Sequence, residues 1–470
     1  MAILIKGGTL VTAEETISAD ILIDGEMILQ TGLNLQIADA EILDASGKLI
    51  LPGGVDPHTH FDLPMAGTVS SDDHYTGHKA AAFGGTTTVI DYVSFDFPTF
   101  RESVDAWHKK AEKAAIDYSF HMNLTHFDEQ VAVEIPSLVE MGITSLKVFT
   151  AYNGRLRIDD GSIFKALRIA KENGMLVLAH CENGDVIEAL IAEARTAHHL
   201  TPEWHAKTRP AWGAVEATLR GAALAAQAGA ALYIVHMNAA GEVDQLAYAR
   251  AHGLHIMGET CPQYLLFTEE DLKRPDGAKW VCSPPVRTAQ DNRRIWEGLA
   301  DGTIQVLATD HCAFFYDGTQ PIQYEGKAVA IPGKELGKAD FSKIPNGLPG
   351  VGDRLPVMFT CISDHNISLS RFVALTSADP ARIFGLYPRK GALLPGSDAD
   401  VVIWDPTKRV TYGAAYAQHR TDYNLYEGMQ LQGFPEKVYL RGQLIVDRGA
   451  WLGKAGMGEF LPRKPYAPIL

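Results

Sequence analysis

Residues 176–180, Leu-Val-Leu-Ala-His, form a short apolar run that ends on a histidine, and this pattern decides the fold. Helical stretches such as Ala214–Ala228 lie between runs of the same kind, which return at Thr86–Asp91, Ser145–Phe149, Leu232–His236 and Ile304–Asp310. Strands that alternate with helices from about Leu51 to Leu386 predict a (β/α)8 barrel of the TIM type. An open, doubly wound parallel sheet is the alternative that the same alternation allows.

The two ends of the chain have a different sequence pattern, in which short apolar segments are separated by turn residues. Residues 21–29 read Ile-Leu-Ile-Asp-Gly-Glu-Met-Ile-Leu, a hairpin signal, and residues 398–405 and 438–446 return to this spacing. Neither end has enough strands to close a core, so we expect both ends to form one small β-sandwich domain. The predicted organisation is the first part of the sandwich, the barrel, the second part of the sandwich and a C-terminal arm: residues 1–51, 52–386, 387–453 and 454–470.

The composition is that of a folded globular protein with an acidic balance. The 470 residues include 42 Lys and Arg against 57 Asp and Glu, a formal net charge of −15. This charge argues against nucleic acid and against an anionic membrane surface as partners. The sequence has no apolar stretch near the ~20 residues of a membrane span, no signal-peptide pattern and no C-x-x-C pair among its five cysteines. We therefore expect a cytoplasmic protein.

Polar residues follow or close the apolar runs at the points where strands end. In a barrel, side chains at the C-terminal ends of parallel strands converge, so these positions predict one cluster: His58, His60, Lys147, His180, His236 and Asp310. An isolated H-x-H is a weak signal, and a single buried histidine is more often structural. Two such histidines in register with H-x-H favour metal ligation. A carboxylate such as Asp310 at a buried strand end either caps a helix or binds a metal.

Lys147 is the unusual member of this cluster, because an ammonium group repels metal ions. Three fates are open to a lysine within the run 146–149. Its amine extends to the surface, forms a Schiff base, or reacts with carbon dioxide to give an anionic carbamate. Only the carbamate explains a lysine among metal ligands, and burial favours the neutral amine that this modification requires.

A set of ordered motifs spans nearly the whole chain: Gly53–Asp62, Ala151-Tyr152 after the Lys147 strand, Ala179–Asn183, Val235-His236, Cys282–Arg287, Thr309–Cys312 and Lys343–Gly350. Together they resemble the dihydropyrimidinase/hydantoinase branch of the cyclic amidohydrolases, including the split sandwich. As an ordered set, the motifs are highly specific. The resemblance implies an enzyme that hydrolyses the cyclic amide bond of a dihydropyrimidine or a 5-substituted hydantoin, with a small-molecule substrate and an N-carbamoyl amino acid as product.

The resemblance also implies a site with two divalent metal ions, most commonly zinc. His58 and His60 would hold the buried ion with Asp310, His180 and His236 would hold the more exposed ion, and Lys147, as N6-carboxylysine, would bridge the two. A hydroxide bridging two metals supplies the strong nucleophile that an unactivated amide needs at neutral pH. In this reading Asp310 is the general acid and base, Tyr152 donates its hydroxyl to the oxyanion, and the backbone of Ser283 and Asn346 holds the amide edge of the ring.

Two loops are expected to surround the exocyclic substituent of the substrate. An aliphatic, moderately roomy wall is predicted from Leu63, Met65 and Leu156. Arg155 and Arg157 either face solvent or favour a substituent that carries a carboxylate. The segment 313–335 is longer than is usual in the family and is expected to form a flap or an oligomer contact.

Other functions are compatible with parts of this pattern. An allantoinase-like enzyme or another cyclic imide hydrolase is the nearest competitor. A non-catalytic scaffold relative is disfavoured because all six ligand positions are filled, and a mononuclear deaminase on the same barrel would not need Lys147. A dihydroorotase-like activity is disfavoured because His60-Phe61-Asp62 lacks the arginine that those relatives carry. The resemblance further implies a homo-oligomer, either a tetramer or a dimer.

Overall fold

The computed structural model describes residues 2–65, 67–318, 321–324 and 327–467, and a parallel barrel forms its centre. Eight parallel strands lie side by side in sequence order: β1 Gly54–Thr59, β2 Thr86–Val93, β3 Asp117–Asn123, β4 Ser145–Phe149, β5 Leu176–His180, β6 Leu232–Ile234, β7 Ile256–Thr260 and β8 Val306–Leu307. The first and last strands meet where His311 pairs with Thr59, and the His60 amide donates to the His311 carbonyl over 2.8 Å. The barrel prediction is confirmed, and the open-sheet alternative is wrong.

Helices follow every barrel strand, as the alternating pattern predicts. The helix predicted over Ala214–Ala228 begins three residues earlier, at Ala211. After β5, the Asn183 side chain accepts a hydrogen bond from the Val186 amide and so starts the next helix. The α-helices are Thr76–Phe83, Phe100–Ala111, Glu129–Glu134, Ser137–Glu140, Asp160–Glu172, Gly184–Thr196, Glu203–Lys207, Ala211–Ala228, Ala240–Ala251, Gln263–Leu266, Ala289–Asp301, Arg354–Cys361, Leu369–Val373 and Asp379–Ile383.

Shorter helical turns complete the connections between these elements. A π-helical turn, Ala374–Ala378, joins the last two α-helices. The 3-10 turns lie mainly in the long loops after β7 and β8: Asp271–Lys273, Gly277–Trp280, Lys334–Gly337, Phe341–Lys343 and Ile362–His365. Apolar side chains from successive strands fill the barrel interior, as is usual in this fold: Val55, Ile90, Leu178, Tyr233, Met257 and Val306.

Two β-sheets form the sandwich beside the barrel. The smaller sheet comes from the N-terminal end, in the order Met27–Gly32, Asp20–Asp24, Ile3–Lys6 and Glu41–Asp44. The larger sheet mixes the two ends, in the order Ala450–Trp451, Gln443–Asp447, Gln430–Leu440, Val401–Thr411, Leu49–Pro52, Thr9–Val11 and Thr16–Ser18. The hairpin signal in residues 21–29 corresponds to the turn between the strands Asp20–Asp24 and Met27–Gly32.

The two chain ends meet within the larger sheet. Strand Leu49–Pro52 pairs antiparallel with Val401–Thr411, with Ile50 opposite Ile403. Residues of both ends share one apolar core: Ile5, Leu10, Ala19, Ile21, Ile23, Ile28, Ala45, Ile50, Leu393, Ala399, Val401, Ile403 and Tyr439. The prediction that both ends build one sandwich is confirmed. The boundaries at 51/52, 386/387 and 453/454 stay predictions, and Met1 and residues 468–470 of the predicted ends lie outside the described residues.

A buried ionic cluster joins the sandwich to the base of the barrel, the end at which the parallel strands begin. Lys390 is 1% exposed, and its Nζ lies 2.6 Å from Asp117, 2.8 Å from Asp400 and 3.0 Å from Asp398. Arg441 adds a second cation on Asp117, the first residue of β3. Buried charges are tolerated when they contact charges of opposite sign, and each of the three carboxylates contacts Lys390 directly. We call it the junction cluster.

The C-terminal tail lies against the base of the same barrel. The Leu461 amide donates to the Tyr118 carbonyl over 2.7 Å, and the Tyr466 amide donates to Gly174 over 2.7 Å. Arg463 is 4% exposed and donates to the Ser145 hydroxyl, 2.7 Å away, at the start of β4. The predicted arm is therefore tied to its own barrel up to residue 466. Within the described part of the chain, no helix has both the length and the apolarity to cross a bilayer.

Candidate metal centre

The predicted ligand residues lie at the mouth of the barrel, the end at which the parallel strands finish. His58 lies within β1, Lys147 within β4 and His180 at the end of β5, whereas the remaining three follow β1, β6 and β8: His60, His236 and Asp310. His236 and Asp310 have backbone φ angles of 40° and 53°, and Tyr152 has 68°. Non-glycine residues rarely adopt this left-handed conformation, which clusters at functional sites.

Three side chains converge on one side of the mouth. Asp310 Oδ1 lies 3.1 Å from His58 Nε2 and 3.2 Å from His60 Nε2. The ligands of a tetrahedral ion with metal–nitrogen bonds of 2.0–2.1 Å are about 3.3 Å apart, so these separations fit a shared cation. The fully buried His58 Nε2 has no hydrogen-bond partner among the described residues.

Two further histidines form the other side of the mouth. His180 Nδ1 lies 3.0 Å from His236 Nε2, a separation that again fits two ligands of one ion. The His236 ring centroid is 5.4 Å from that of His58, so the two sides of the mouth are contiguous. Ligand atoms of His58, His236 and Asp310 all lie within 4.8 Å of one another.

Lys147 completes the cluster from the floor of the mouth. Its side chain is 2% exposed, and its Nζ lies 4.6 Å from the centroid of the Tyr92 ring and 5.3 Å from that of Phe149. Burial lowers the pKa of Lys147 to about 8, against the opposing attraction of Asp310 and Glu259. The neutral amine, the form that reacts with carbon dioxide, is therefore much more populated at physiological pH than it is for an exposed lysine.

Glu259 on β7 holds two of the histidines from behind, and sequence analysis missed it. Its carboxylate accepts a short hydrogen bond from His58 Nδ1, a 2.8 Å bond from the Tyr233 hydroxyl and a 3.2 Å bond from the His236 backbone amide. A carboxylate behind a histidine fixes the ring so that its other nitrogen faces the metal. The available signal was an acid, Glu259, within the buried run 256–260.

Glu182 plays the same part for the second side of the mouth. Its Oε2 lies 2.9 Å from His180 Nε2 and 2.6 Å from Arg209 Nη1, and both partners are buried. The guanidinium of Arg209 also lies over the Tyr152 ring, 5.4 Å from its centroid. One cation thus connects a predicted metal ligand with the predicted oxyanion donor. Glu182 was part of a quoted motif, but neither it nor Arg209 had been assigned a role.

Burial and neighbouring charge set the protonation of the site. Burial would raise the pKa of Asp310, but His58, His60 and His236 hold it well below its usual range. Burial lowers the pKa of His60 to about 4 and that of His236 well below its usual value. Burial alone would lower the pKa of His58 as well, but the charges of Glu259 and Asp310 raise it. A carboxylate among imidazoles is the donor set that a divalent cation binds, and binding requires each imidazole to be in its neutral form.

The predicted substrate contacts surround this cluster on loops. The Tyr152 ring centroid lies 5.0 Å from that of His180, and burial raises the pKa of its hydroxyl to about 12. Asn346 Nδ2 donates to Ser283 Oγ over 2.9 Å, which joins the two loops predicted to hold the substrate ring. The predicted aliphatic wall residues are all half-buried: Leu63, Met65 and Leu156.

The two arginines of the loop after β4 differ in their surroundings. Arg157 Nη1 lies 2.5 Å from Asp185 Oδ1 and 3.0 Å from Asn153 Oδ1. Arg155 is exposed. Arg157 was expected either to face solvent or to favour a substrate substituent that carries a carboxylate. In the structure it is instead paired with a carboxylate of its own chain.

Comparisons with known proteins agree with the barrel fold. The Amidohydrolase family model matches residues 49–445. The chain is 42% identical over 476 residues to D-hydantoinase of Geobacillus stearothermophilus, covering 100% of this chain and 98% of that protein. It is 41% identical over 474 residues to D-phenylhydantoinase of Escherichia coli O1:K1 / APEC, covering 100% and 99%. The crystal structure of dihydropyrimidinase from Brevibacillus agri NCHU1002 matches with a TM-score of 0.95 and 44% identity, covering 99% of this chain and 100% of that chain.

The fold and the donor set define a barrel hydrolase of the metal-dependent kind. The chain belongs to the amidohydrolase family, whose members are generally binuclear metal-dependent enzymes. The family resemblance stated from the sequence motifs is confirmed.

Proposed function

We propose that this protein opens the ring of a 5-substituted hydantoin or a 5,6-dihydropyrimidine by hydrolysis, giving the N-carbamoyl amino acid. The observation that carries the proposal is the geometry of the mouth, where the carboxylate of Asp310 and four imidazoles converge at metal-ligand separations. Full-length relatives named D-hydantoinase and D-phenylhydantoinase support the same reaction class.

The proposed ligand set has two halves and a bridge. One half would hold a first divalent ion through His58, His60 and Asp310, and the other half would hold a second through His180 and His236. Lys147 is proposed to carry a carbamate that bridges both, formed when its neutral amine adds to carbon dioxide and loses a proton. Imidazole and carboxylate donors suit zinc, and two such ions would activate water and polarise the scissile carbonyl.

The chain itself supplies the proton transfers. Asp310, kept ionised by the histidines around it, accepts a proton from the attacking water and passes it to the ring nitrogen as the carbon–nitrogen bond breaks. Tyr152, whose hydroxyl keeps its proton at neutral pH, donates a hydrogen bond to the developing oxyanion. Arg209 lies over the Tyr152 ring and, through Glu182, also holds His180 in place.

Substrate orientation is assigned to the surrounding loops. The backbone of Ser283 and Asn346 is proposed to hold the amide edge of the ring, and their side chains bond to each other. The exocyclic substituent then faces the aliphatic wall of Leu63, Met65 and Leu156, which favours an apolar group over a charged one.

A substrate panel tests this proposal directly. Dihydrouracil, both enantiomers of 5-phenylhydantoin, and allantoin are incubated with the holoenzyme, and ring opening is followed by chromatography of the products. We expect turnover of a hydantoin or of dihydrouracil. Turnover of allantoin alone would favour an allantoinase-like enzyme, and no turnover of any of the four would overturn the proposal.

The metal centre has its own test. Elemental analysis is expected to give about two divalent ions per chain, and ¹³C NMR of protein exchanged with ¹³C-labelled carbon dioxide is expected to show a carbamate signal that Lys147→Ala abolishes. One ion per chain together with a fully active Lys147→Ala variant would refute the bridging carbamate and would favour a mononuclear enzyme.

We also propose a cytoplasmic homo-oligomer, a tetramer or a dimer. The support is the acidic charge, the reduced state expected of the cysteines, and the family resemblance. Light scattering of the purified protein measures the subunit number, and a monomer would contradict the proposal.

A further inference from the structure

The segment 313–335, predicted as a flap or an oligomer contact, packs against one wall of the proposed substrate pocket. It contains a hairpin in which Pro321–Tyr324 pairs antiparallel with Lys327–Ala330; residues 319, 320, 325 and 326 lie outside the described residues. Phe315, Ile322 and Ile331 form a small apolar core with Val69. Val69 belongs to a second hairpin, formed just beyond the wall residue Leu63.

Two hydrogen bonds strengthen this contact. The Thr68 hydroxyl donates to the Pro332 carbonyl oxygen over 2.5 Å, and the Ser71 amide donates to the Ala313 carbonyl over 2.7 Å. The loop that carries Leu63 and Met65 is therefore fixed to the segment by both apolar and polar contacts.

Lys334, at the end of the same segment, reaches the other wall. Its side chain is 1% exposed, and its Nζ donates to the carbonyl oxygen of Val281 over 2.8 Å and to that of Pro345 over 3.2 Å. Val281 lies two residues before Ser283, and Pro345 lies directly before Asn346. One amine thus joins the two loops that are proposed to hold the substrate ring.

Burying the amine of Lys334 at this position costs free energy. Among the described residues, no carboxylate lies within 4 Å of the Lys334 amine to offset its burial. Burial accordingly lowers the pKa of Lys334 to about 7. Burying an amine costs free energy that an apolar side chain of similar length would avoid, so stability alone does not account for a lysine here. What the amine adds is a fixed link between two backbone carbonyls.

We propose that Lys334 is a positioning residue that sets the spacing of the Ser283 and Asn346 loops and thereby selects between five- and six-membered cyclic amides. Hydantoins and dihydropyrimidines present the same amide edge but differ in ring size. The distance between the backbone groups of Ser283 and Asn346 that bind this edge therefore discriminates between the two rings. The inference rests on the proposed function, and it assigns the segment 313–335 to substrate selection.

The test compares Lys334→Met with Lys327→Met, the same substitution at an exposed lysine of the same segment. For each variant, kcat and KM are measured with dihydrouracil and with hydantoin, together with metal content and thermal midpoint. Losing two hydrogen bonds of ordinary strength is expected to raise KM for the preferred ring about tenfold and to narrow the preference between the rings about fivefold. Metal content is expected to stay at the wild-type level, and Lys327→Met is expected to behave as wild type.

A folded Lys334→Met variant with the wild-type preference between rings would overturn the inference, as would an equal change in Lys327→Met. Lys334→Gln retains hydrogen-bond donors on a shorter chain, so it is expected to recover part of the preference, and it serves for the same measurement if Lys334→Met does not fold. Wild-type protein inactive on both rings would instead sink the proposed function, so the two failures are distinguishable.

Discussion

The mouth and the base of the barrel both bury charged groups, but they satisfy them in opposite ways. At the base, the junction cluster surrounds Lys390 with three carboxylates at 2.6–3.0 Å. At the mouth, His58 is held from behind by Glu259, while its Nε2 faces the carboxylate of Asp310 with no hydrogen-bond partner among the described residues. At the base each of these carboxylates contacts a cation of the same chain, whereas the mouth directs several metal-ligand atoms at a common point.

This difference indicates that the base serves mainly stability and the mouth mainly catalysis. A satisfied buried network stabilises one arrangement of the chain, and its loss is expected to appear in stability. A buried metal-ligand atom without a hydrogen-bond partner costs free energy unless a bound ion contacts it. Replacing the residue that carries such an atom is therefore expected to lower activity. Variants at the two places should therefore fail in different assays.

The largest effect is expected from Asp310→Asn. The amide cannot accept and return a proton and is a poorer metal ligand, so kcat should fall by at least about 10³-fold on the best substrate. The thermal midpoint of the metal-free protein should change little, because the shape of the side chain is conserved. Steady-state kinetics and calorimetry measure the two quantities. A variant with more than a tenth of the wild-type activity would contradict the assigned role.

Lys390→Met is expected to give the complementary result at the base. Removing the cation leaves Asp117, Asp398 and Asp400 buried with too little positive charge, which should cost about 3–5 kcal/mol of unfolding free energy. Urea unfolding measures the loss. The matched control is Lys437→Met, whose partly exposed pair with Asp447 should cost at most about 1 kcal/mol. Equal losses in the two variants would remove the distinction between a buried network and a surface pair.

Acid should weaken the mouth when metal has been removed by a chelator. Burial lowers the pKa of His60 to about 4, so between pH 6.5 and 4 the unfolded chain binds more protons at this residue than the folded chain. Stability is therefore lost as pH falls through that window, by up to about 3 kcal/mol for this residue. His60→Asn should flatten the profile there, measured by urea midpoints at each pH. An unchanged slope would contradict the assignment.

Glu259→Gln should act on metal affinity rather than on folding. The amide cannot hold the His58 ring with the same charge, so affinity for the bound ion should fall about 10–100-fold. Competition with a chromogenic chelator measures the change. Tyr233→Phe, which removes only one of the donors to Glu259, is the milder control. Unchanged affinity in Glu259→Gln would show that the carboxylate serves packing alone.

The smallest effect is expected from Arg157→Ala. Its partner Asp185 is largely exposed, so the pair should contribute less than about 1 kcal/mol, and turnover of apolar hydantoins should stay at the wild-type level. Kinetics with a hydantoin whose substituent carries a carboxylate provide the measurement. A tenfold rise in KM for that substrate alone would instead indicate that Arg157 binds the carboxylate of the substituent.

Short-range patterns were sufficient to predict the barrel and the six residues expected at its mouth. Apolar runs that end on His180 and His236 carry both the strand and its terminal side chain within a few residues. The run Ile304–Asp310 was less accurate: only Val306–Leu307 remains in the sheet, and Asp310 turns out of it with a positive φ. Strand length depends on how neighbouring strands end, and a single run does not contain that information.

Contacts between distant parts of the chain were beyond sequence patterns. Glu259 meets His58 only because β7 and β1 both flank β8 once the barrel has closed, although the two residues are 201 positions apart in the sequence. Lys334 likewise acquires its position from two loops that are separate in the sequence. An acid or a lysine in an apolar run signals that a partner exists, but the identity of the partner depends on the tertiary fold.

The shared sheet of the sandwich has a consequence for synthesis on the ribosome. Strand Leu49–Pro52 emerges early, yet its neighbour Val401–Thr411 is made only after the whole barrel. Until then the nascent chain carries an unpaired apolar strand edge, which is prone to association with other chains. Pairing across so long a sequence separation also slows folding. Truncation before residue 401 should therefore yield an aggregating product even though every proposed metal ligand is present.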